Sequence, residues 1–372
     1  MKLKSLQMVI AVVFFLITIS PIARAQKYSI TDLGPLAPTA INAWAQVVGN
    51  YNDQAYIWNF GRTRPLGTLA GGTFSWAAAI NDLGVVTGTA DGPGQIVSID
   101  GGSNIECSDL IQPFIWTRQM RGLGTVGPAS DDAVFFDGGC PFPFYGAAIN
   151  DRGQVVGYTG YLPDDFSWGF SWTAAGGMTL FGSSFAPSFA NGISNTGQIV
   201  GQTAIEGPPA AASWKNGIAT DLGGLPGFFM SAANGVNDEG EIVGWSTNPS
   251  YIHAVIWPRS GAIRDLGTLS GDTESSATKI NLFGIVIGSS GNTVVASTIP
   301  DNSPFDEGPL EVVGRPFVWS ERSGMRDLNT LIPAGSGWVL DSVADINIWG
   351  QIVGSGTRNG QPHGFLLTPR RF

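Results

Sequence analysis

The sequence has few of the residues from which catalytic and metal sites are usually built. It contains only two histidines, His253 and His363, among 372 residues. Both occupy one position of an internal repeat, at which other copies have Gln, Trp, Ala or Arg. Zinc sites and Ser-His-Asp triads need histidines held together with other specific groups. We therefore predict no metal site, no cofactor and no histidine-based catalysis.

Long apolar runs are also scarce, and the longest lies at the N-terminus. Lys2 and Lys4 precede an apolar run over about residues 6–19, which is followed by Ala23-Arg24-Ala25. This order is typical of a secretory signal peptide, and the run is too short to span a membrane comfortably. We predict that residues 1–25 are a signal peptide, that residues 26–372 form a single repeat domain with no membrane span, and that the protein is secreted or periplasmic.

Basic residues are fewer than acidic ones. Removal of the signal peptide takes away Lys2, Lys4 and Arg24, which leaves sixteen basic residues against twenty-nine acidic ones, a net charge of −13. A polyanionic partner would be repelled by this charge, so we predict that the protein does not bind nucleic acid.

The two cysteines, Cys107 and Cys140, have a simple interpretation in an exported chain. Oxidising compartments favour disulfides, so one Cys107–Cys140 bond is expected. Two unpaired thiols are the alternative.

The sequence shows no amphipathic helix of useful length. Instead it has 52 glycines and seven copies of one short pattern. One copy is residues 148–157, Ala-Ile-Asn-Asp-Arg-Gly-Gln-Val-Val-Gly, and the others are residues 42–49, 81–88, 194–201, 237–244, 281–288 and 347–354. Asn and Asp favour the start of a tight turn, and Gly accepts positive φ. Each copy therefore predicts two β-strands joined by a type I turn with a glycine bulge. The first copy departs from this pattern, with Ala45 in place of the turn glycine.

Two further landmarks follow each copy. A strand ending in Trp comes first, as at Trp58 or Trp257, although the last copy has Leu367, and an Asp-Leu-Gly segment comes next in several units. Each unit then has four strands, a to d, in about 44 residues, which is typical of a β-propeller blade. The repeated Trp side chains are expected to pack between blades, and the repeated Asp32, Asp221, Asp265 and Asp327 are expected to bond nearby backbone amides in turns.

The ends of the repeat region complement each other. Residues 28–34 are predicted to form a d strand with no a, b or c strand before it, and residues 363–367 a c strand with no d strand after it. Pairing the two would complete one blade and remove the sheet edges at the seam. We predict an all-β fold, a β-propeller of seven four-stranded blades closed by its N-terminal and C-terminal strands. An open or differently closed β array is the alternative.

The segment His253-Ala254-Val255-Ile256-Trp257, followed by residues 264–269 of sequence Arg-Asp-Leu-Gly-Thr-Leu and by the Gln-Val-Val-Gly copies, resembles the bacterial extracellular HAF-repeat family. The resemblance covers nearly the whole chain after residue 25, although the His-Ala-Phe triplet itself is replaced by His-Ala-Val, Gln-Pro-Phe and His-Gly-Phe. It implies export and a repeat fold, and it implies no defined activity or catalytic residue.

The b–c and d–a loops of a propeller lie on one face, and here they contain the irregular insertions. Gly88 and Trp116 are 28 positions apart and Gly288 and Trp319 are 31 apart, against 9 to 15 in the other units. Long loops on a rigid scaffold often carry binding residues, and aromatic side chains on a concave face suit sugar rings or apolar peptides. The candidate ligand-binding residues on this face are Trp76, Tyr145, Phe189 and Trp338. Packing between blades is the alternative role for each.

Two functions are therefore open. The first is an exported binding module whose loop-rich face binds an extracellular carbohydrate or protein. The second is a polysaccharide hydrolase or lyase using loop carboxylates, which could alternatively be Ca²⁺ ligands or plain solvated side chains. Those carboxylates are Asp131, Asp132, Asp137, Asp164, Asp165, Asp301, Asp306 and Glu307. The sequence favours the binding module and leaves enzymatic activity uncertain.

Overall fold

A computed structural model describes residues 27–92, 95–99, 103–107, 110–125, 136–137, 140–141, 143–159, 167–181, 188–204, 208–248, 250–296 and 310–370. These residues form strands in short antiparallel sheets, with one 3₁₀ turn at Leu328–Thr330. Seven of the sheets have four strands each. The predicted seven-bladed β-propeller is confirmed.

Strand β1 (Tyr28–Asp32) belongs to the blade that closes the ring. Blade 1 then consists of β2 (Ala37–Ile41), β3 (Val47–Tyr51), β4 (Gln54–Asn59) and β5 (Arg62–Pro65). Blade 2 consists of β6 (Ser75–Ile80), β7 (Val86–Gly92), β10 (Leu110–Trp116) and β11 (Met120–Gly122). Its two insertions form small hairpins, of which the backbone is described, β8 (Gln95–Ile99) with β9 (Ser103–Cys107) and β12 (Phe136–Asp137) with β13 (Cys140–Pro141).

The next three blades follow the same order of strands. Blade 3 consists of β14 (Phe144–Ile149), β15 (Val155–Thr159), β16 (Gly169–Thr173) and β17 (Gly177–Phe181). Blade 4 consists of β18 (Ser188–Ile193), β19 (Ile199–Thr203), β20 (Ala210–Lys215) and β21 (Ile218–Asp221). Blade 5 consists of β22 (Met230–Val236), β23 (Ile242–Asn248), β24 (Tyr251–Trp257) and β25 (Arg264–Asp265).

The last two blades contain the longest strands and the seam. Blade 6 consists of β26 (Glu274–Ile280), β27 (Val286–Ala296), β28 (Leu310–Ser320) and β29 (Gly324–Asp327). Blade 7 consists of β30 (Trp338–Ile346), β31 (Ile352–Arg358), β32 (Gln361–Pro369) and β1. Strand β1 pairs antiparallel with β32, from Tyr28 opposite Pro369 to Asp32 opposite Phe365. The predicted closure of the ring by both ends of the repeat region is therefore confirmed.

The a–b turns have the predicted hydrogen-bond pattern. In blade 2, the Gly84 amide donates to the Asn81 carbonyl at 3.0 Å, and the Asn81 amide donates to the Val85 carbonyl at 3.0 Å. Gly84 has a φ of +77°. Blade 1 keeps the same geometry without glycine, because Ala45 adopts a φ of +58° at this position. A β-carbon makes such a conformation strained.

The hydrophobic core lies between neighbouring blades. One core group joins Val48 and Ile57 of blade 1 to Phe114 and Trp116 of blade 2, and similar groups recur around the ring. Trp116, Trp172, Trp214 and Trp257 are buried, which confirms the predicted packing role of these repeated side chains. The insertion of blade 6 extends its b and c strands, and Val312 of that hairpin packs against Trp245 of blade 5.

Candidate functional site

The first strands of the blades line a central tunnel. Each contributes one aliphatic side chain immediately before the turn residue, and these side chains form a girdle: Ile41, Ile80, Ile149, Ile193, Val236, Ile280 and Ile346. On one side of the girdle lies the mouth formed by the a–b turns, which we call the narrow mouth. On the other side lies the mouth next to the b–c and d–a loops, which we call the wide mouth. These two mouths are the concave surfaces at the centre of the molecule.

A ring of side-chain amides joins the turns at the narrow mouth. Asn42 donates to the carbonyl of Asn81, Asn81 to that of Asn150, and Asn150 to that of Ser194. Beyond Ser194 the ring continues when Asn237 donates to Asn281, Asn281 to Asn347 and Asn347 back to Asn42. Ser194 lacks an amide, so one of the seven links is absent from this ring. Each Asn also accepts hydrogen bonds within its own turn, as at Val85.

The rim of the narrow mouth is acidic on one side. The Asp82 carboxylate accepts from the Ala43 amide at 2.7 Å, Asp151 accepts from the Asp82 amide at 2.8 Å, and Asp238 accepts from the Asn195 amide at 2.6 Å. Burial raises the pKa of Asp82, and the negative charges of Asp151 and Asp238 raise it further, against the opposing hydrogen bond from Ala43. The vestibule inside this rim has a volume of about 300 Å³.

Two ionisable side chains lie deeper in the tunnel wall, where the other blades have Ala or Gly. They are Lys279 of blade 6 and Asp345 of blade 7. Asp345 accepts from the amides of Ile41 and Ile346 at 2.9 and 2.8 Å. Burial raises the pKa of Asp345, and the positive charge of Lys279 acts in the opposite direction.

The wide mouth carries an arc of aromatic side chains on blades 2 to 4. Trp76, Tyr145 and Phe189 each lie opposite the residue that follows the repeated Gly of strand b. Tyr158 joins two of them, because its ring centre lies 5.6 Å from that of Tyr145 and 5.5 Å from that of Phe189. Trp76 is 36% exposed. The structure therefore places three of the four predicted aromatic residues at equivalent positions on adjacent blades.

The fourth predicted residue, Trp338, has a different environment. It is 9% exposed and packs edge-on against His363 and Phe365, with ring centres 6.1 Å apart in both pairs. Its ring belongs to the core of blade 7 and is separate from the aromatic arc.

Blades 6 and 7 present hydroxyl groups where blades 2 to 4 present aromatic rings. Ser276 lies opposite Ser289, and Ser342 lies opposite Ser355. The blade 6 hairpin and the neighbouring strands enclose a pocket of about 240 Å³ between blades 5, 6 and 7, which we call the serine pocket. It is lined by Asn234, Trp245, Ser276, Thr278, Ser289, Leu310, Glu311, Val312, Ser342 and Val343.

Most of the side-chain polar groups of the serine pocket form no hydrogen bond within the described part of the protein. Among the described residues, the hydroxyls of Ser276, Ser289, Ser342 and Thr278 have no protein hydrogen-bond partner. They also retain solvent access, since none of them is a buried unsatisfied atom. Sequence reasoning missed this pocket, although serine at one repeat position in two successive blades was a visible signal.

Each of the two repeated histidines forms a hydrogen bond with an aspartate of strand d. His253 Nδ1 lies 2.8 Å from an Asp265 carboxylate oxygen, and His363 Nδ1 lies 2.7 Å from Asp32. Arg315 occupies the equivalent position in blade 6 and binds Asp327 at 3.1 Å. The hydrogen bond that His253 donates to the Asp265 carboxylate is the main cause of a raised His253 pKa. These pairs tie strand c to strand d.

The three aspartates in these pairs and the repeated Asp221 also bond turn amides, as predicted. Asp32 accepts from Gly34 at 2.8 Å, Asp221 from Gly223 at 2.7 Å, Asp265 from Gly267 at 2.7 Å and Asp327 from Asn329 at 2.8 Å.

Strand d of several blades covers the Trp of the next blade. The guanidinium groups of Arg64, Arg121 and Arg264 lie 4.9, 5.7 and 5.8 Å from the ring centres of Trp116, Trp172 and Trp319, respectively. In blade 4, Thr220 has the strand position of these arginines. A groove of about 630 Å³ lies between blades 4 and 5, with Thr220 and Trp257 among its lining residues.

Several predicted features fall beyond the described side chains. The loop carboxylates Asp131, Asp132, Asp164, Asp165, Asp301, Asp306 and Glu307 lie outside the described residues, and of Asp137 only the backbone is described. Of Cys107 and Cys140, too, only the backbone is described. Their strands, β9 and β13, lie next to each other. The disulfide stays a prediction. Within the described ranges, no group of three His, Cys, Asp or Glu side chains is placed to hold a metal ion.

The part of the chain that the structure describes contains no helix of the length and apolarity that a bilayer crossing requires.

No protein-family model matches this sequence, and no curated protein matches it. Among solved structures, the chain is similar to a puromycin-hydrolyzing peptidase of Mycobacterium tuberculosis, with 12% identity, a TM-score of 0.46 and coverage of 88% of this chain and 49% of that one. It therefore spans about half the length of that peptidase. It is also similar to a putative TolB from Agrobacterium tumefaciens, with 10% identity, a TM-score of 0.39 and coverage of 91% and 90%. A third similar structure is an oligogalacturonate lyase in complex with manganese, with 11% identity, a TM-score of 0.40 and coverage of 92% and 93%.

Proposed function

We propose that this protein is an exported binding module, secreted or periplasmic and related to the HAF-repeat proteins, whose wide mouth binds an extracellular carbohydrate. The observation that carries the proposal is the serine pocket, where uncommitted hydroxyls converge across the tunnel from the aromatic arc. Small-ligand sites combine a concave surface with a few convergent polar groups.

The chemistry of the wide mouth suits a sugar residue. The hydroxyls of Ser276, Ser289 and Ser342 can each donate and accept hydrogen bonds, as sugar hydroxyls do. Glu311 adds a carboxylate, which accepts stronger hydrogen bonds than a neutral oxygen. The pocket volume of about 240 Å³ suits one sugar residue, and the aromatic arc offers apolar ring surface to the next residues of a chain.

The test is binding of neutral and acidic oligosaccharides to residues 26–372, measured by thermal shift and calorimetry. A saccharide present at 100 times its Kd stabilises the protein by about 2.7 kcal/mol, which a melting curve detects. We expect Ser276→Ala with Ser342→Ala to weaken binding by about tenfold or more, because each lost hydrogen bond contributes about 1 kcal/mol. Ser355→Ala is the matched control, since Ser355 pairs with Ser342 but does not line the pocket.

The outcomes separate the two functions that the sequence left open. Binding with the saccharide recovered intact supports the binding module. Appearance of shorter or unsaturated products, detected by mass spectrometry, would instead identify a hydrolase or lyase. Absence of any thermal shift, or equal affinity of wild type and the double serine variant, would contradict carbohydrate binding at this pocket.

A further inference from the structure

The narrow mouth, on the opposite face from the proposed carbohydrate site, has an uneven distribution of apolar and polar side chains. The second residue after the turn Asn or Ser is large and apolar in four successive blades and polar in the other three. The apolar four are Phe283, Trp349, Trp44 and Leu83 of blades 6, 7, 1 and 2, and the polar three are Arg152, Thr196 and Glu239 of blades 3, 4 and 5.

The apolar side chains are largely exposed. The relative exposures are 69% for Phe283, 59% for Trp349, 68% for Trp44 and 73% for Leu83, and Leu282 beside them is 38% exposed. Tight turns have no need of large apolar side chains at these positions, since polar residues fill them in blades 3 to 5. A contiguous exposed apolar patch of this kind marks an interaction surface. We call these five residues the apolar crescent.

The two indoles of the crescent are held in place before any partner arrives. Trp349 Nε1 donates to the Ala43 carbonyl at 2.9 Å, and Trp44 Nε1 donates to the Asp82 carbonyl at 3.0 Å. Each ring therefore lies across the turn of the next blade with its only polar group already bonded. Fixed aromatic side chains lose little conformational entropy on binding.

The remaining part of the same rim is acidic. Asp82, Asp151 and Asp238 of blades 2, 3 and 5 line the vestibule, and Asp345 lines it beneath them. Among the described residues none of these carboxylates forms an ion pair, and Arg152 is the only basic residue of the seven turns. Lys279 lies deeper in the tunnel wall, where its positive charge acts on Asp345, so it is the rim carboxylates that favour a cationic group from outside.

We propose that the narrow mouth is a docking surface for a cationic amphipathic segment of another protein, whose apolar side chains cover the apolar crescent while a Lys or Arg side chain enters the acidic vestibule.

Charge and surface chemistry select this occupant over three others. A second copy would bring its own acidic rim and a net charge of about −13 against this one. An anionic membrane would be repelled by the same carboxylates. A sugar would find no polar partner on Leu83, Leu282 or Phe283, and the indole N–H groups are already used.

The experiment uses residues 26–372 and a short fluorescein-labelled amphipathic peptide of leucine, tryptophan and lysine as the probe, with fluorescence anisotropy as the readout. A peptide of the same pattern with glutamate for lysine is the charge control. We expect the lysine peptide to bind at least about tenfold more tightly than the glutamate peptide, with an affinity that falls as salt rises.

Matched variants assign the binding to this face. Trp44→Ala with Trp349→Ala is expected to weaken binding by about tenfold or more, as removal of buried aromatic anchors does. Trp349→Phe, which keeps the apolar ring and loses the N–H, is expected to retain most of the affinity. Ile218→Ala is the control, since Ile218 is 72% exposed but lies outside the crescent. Asp151→Asn with Asp238→Asn is expected to reduce both affinity and salt dependence.

Other results would overturn the proposal. Equal binding of the lysine and glutamate peptides would remove the charge argument. Unchanged affinity in the folded double Trp variant would exclude the crescent, with folding checked by circular dichroism. Concentration-dependent dimers that the double Trp variant abolishes would assign the face to a second copy, and binding of anionic vesicles or oligosaccharides in place of the peptide would assign it to those ligands.

Discussion

The side-chain amide of Asn347 donates to the backbone carbonyl of Asn42 at 3.0 Å, across 305 positions of sequence. This contact joins the last blade to the first at the narrow mouth. On the outer edge of blade 7, β1 and β32 close the ring a second time. The propeller is therefore closed at both its inner and its outer radius. A substitution that weakens either closure should lower the stability of the whole ring.

The Asn ring has one absent link, and Ser194→Asn is expected to restore it. An Asn at this position can donate to the Asn237 carbonyl as its six counterparts donate to their neighbours. A net gain of about 1 kcal/mol in the free energy of unfolding is expected, which is typical of one hydrogen bond. Urea denaturation measures it. The reverse change, Asn150→Ser, should lower stability by a similar amount or more, and a stabilising effect of that control would contradict the role given to the ring.

Ala45 adopts a conformation that glycine accepts without strain, so Ala45→Gly is expected to stabilise blade 1. The left-handed conformation costs a residue with a β-carbon about 1–2 kcal/mol, and part of that gain is offset by the greater freedom of glycine in the unfolded chain. We expect a net increase of about 0.5–1 kcal/mol, measured by thermal or urea unfolding. Gly84→Ala, at the same turn position with a φ of +77°, should be destabilising. Equal stability of all three proteins would show that the turns tolerate either residue.

The groove between blades 4 and 5 is expected to accept an arginine from strand d. Thr220→Arg would place a guanidinium group near Trp257, as Arg121 lies near Trp172. Exposed cation–π contacts contribute about 0.5–1 kcal/mol, so the melting temperature should rise modestly. Thr220→Met adds similar bulk without charge and separates packing from cation–π attraction. Arg121→Thr should have the opposite effect, and a Thr220→Arg protein less stable than wild type would show that Lys215 or Arg259 in the groove repels the new charge.

The His253–Asp265 pair is expected to make a pH-dependent contribution to stability. The hydrogen bond that His253 donates to Asp265 raises the pKa of His253 above its ordinary 6.5, so this contribution is complete below pH 6.5 and disappears as pH rises through the folded-state pKa. Although burial opposes it, the bond to His253 contributes to lowering the pKa of Asp265 below its ordinary 3.8, so on the acid side the contribution is present above pH 3.8 and disappears as pH falls through the folded-state value.

NMR titration of His253 measures this directly. His253 should titrate above pH 6.5 in the wild type and at lower pH in Asp265→Asn. The difference in unfolding free energy between wild type and Asp265→Asn should be largest between about pH 4 and 6.5. A His253 midpoint that does not respond to the substitution would show that the pair does not form in solution.

Much of the fold was predictable from repeated local patterns. The turn in each blade follows from an Asn and from a Gly that accepts positive φ, as at Asn81 and Gly84, and the strands follow from β-branched runs such as Val155-Val156. The pairing of the first d strand with the last c strand followed from counting strands. The candidate site was harder to predict from the sequence, because its residues come from different blades. Three predicted aromatic residues share equivalent positions at the wide mouth, while Trp338 packs into the core of blade 7.

The sequence by itself determined the number of blades, the turns that begin each one and the way in which the ring closes, because these depend on residues close in the chain or repeated along it. Only the tertiary structure decided which side chains of different blades meet. The serine pocket depends on the blade 6 hairpin bending over blade 5, where Val312 covers Trp245. The apolar crescent depends on closure, since blades 6 and 7 reach blades 1 and 2 only when the ring brings the ends of the chain together.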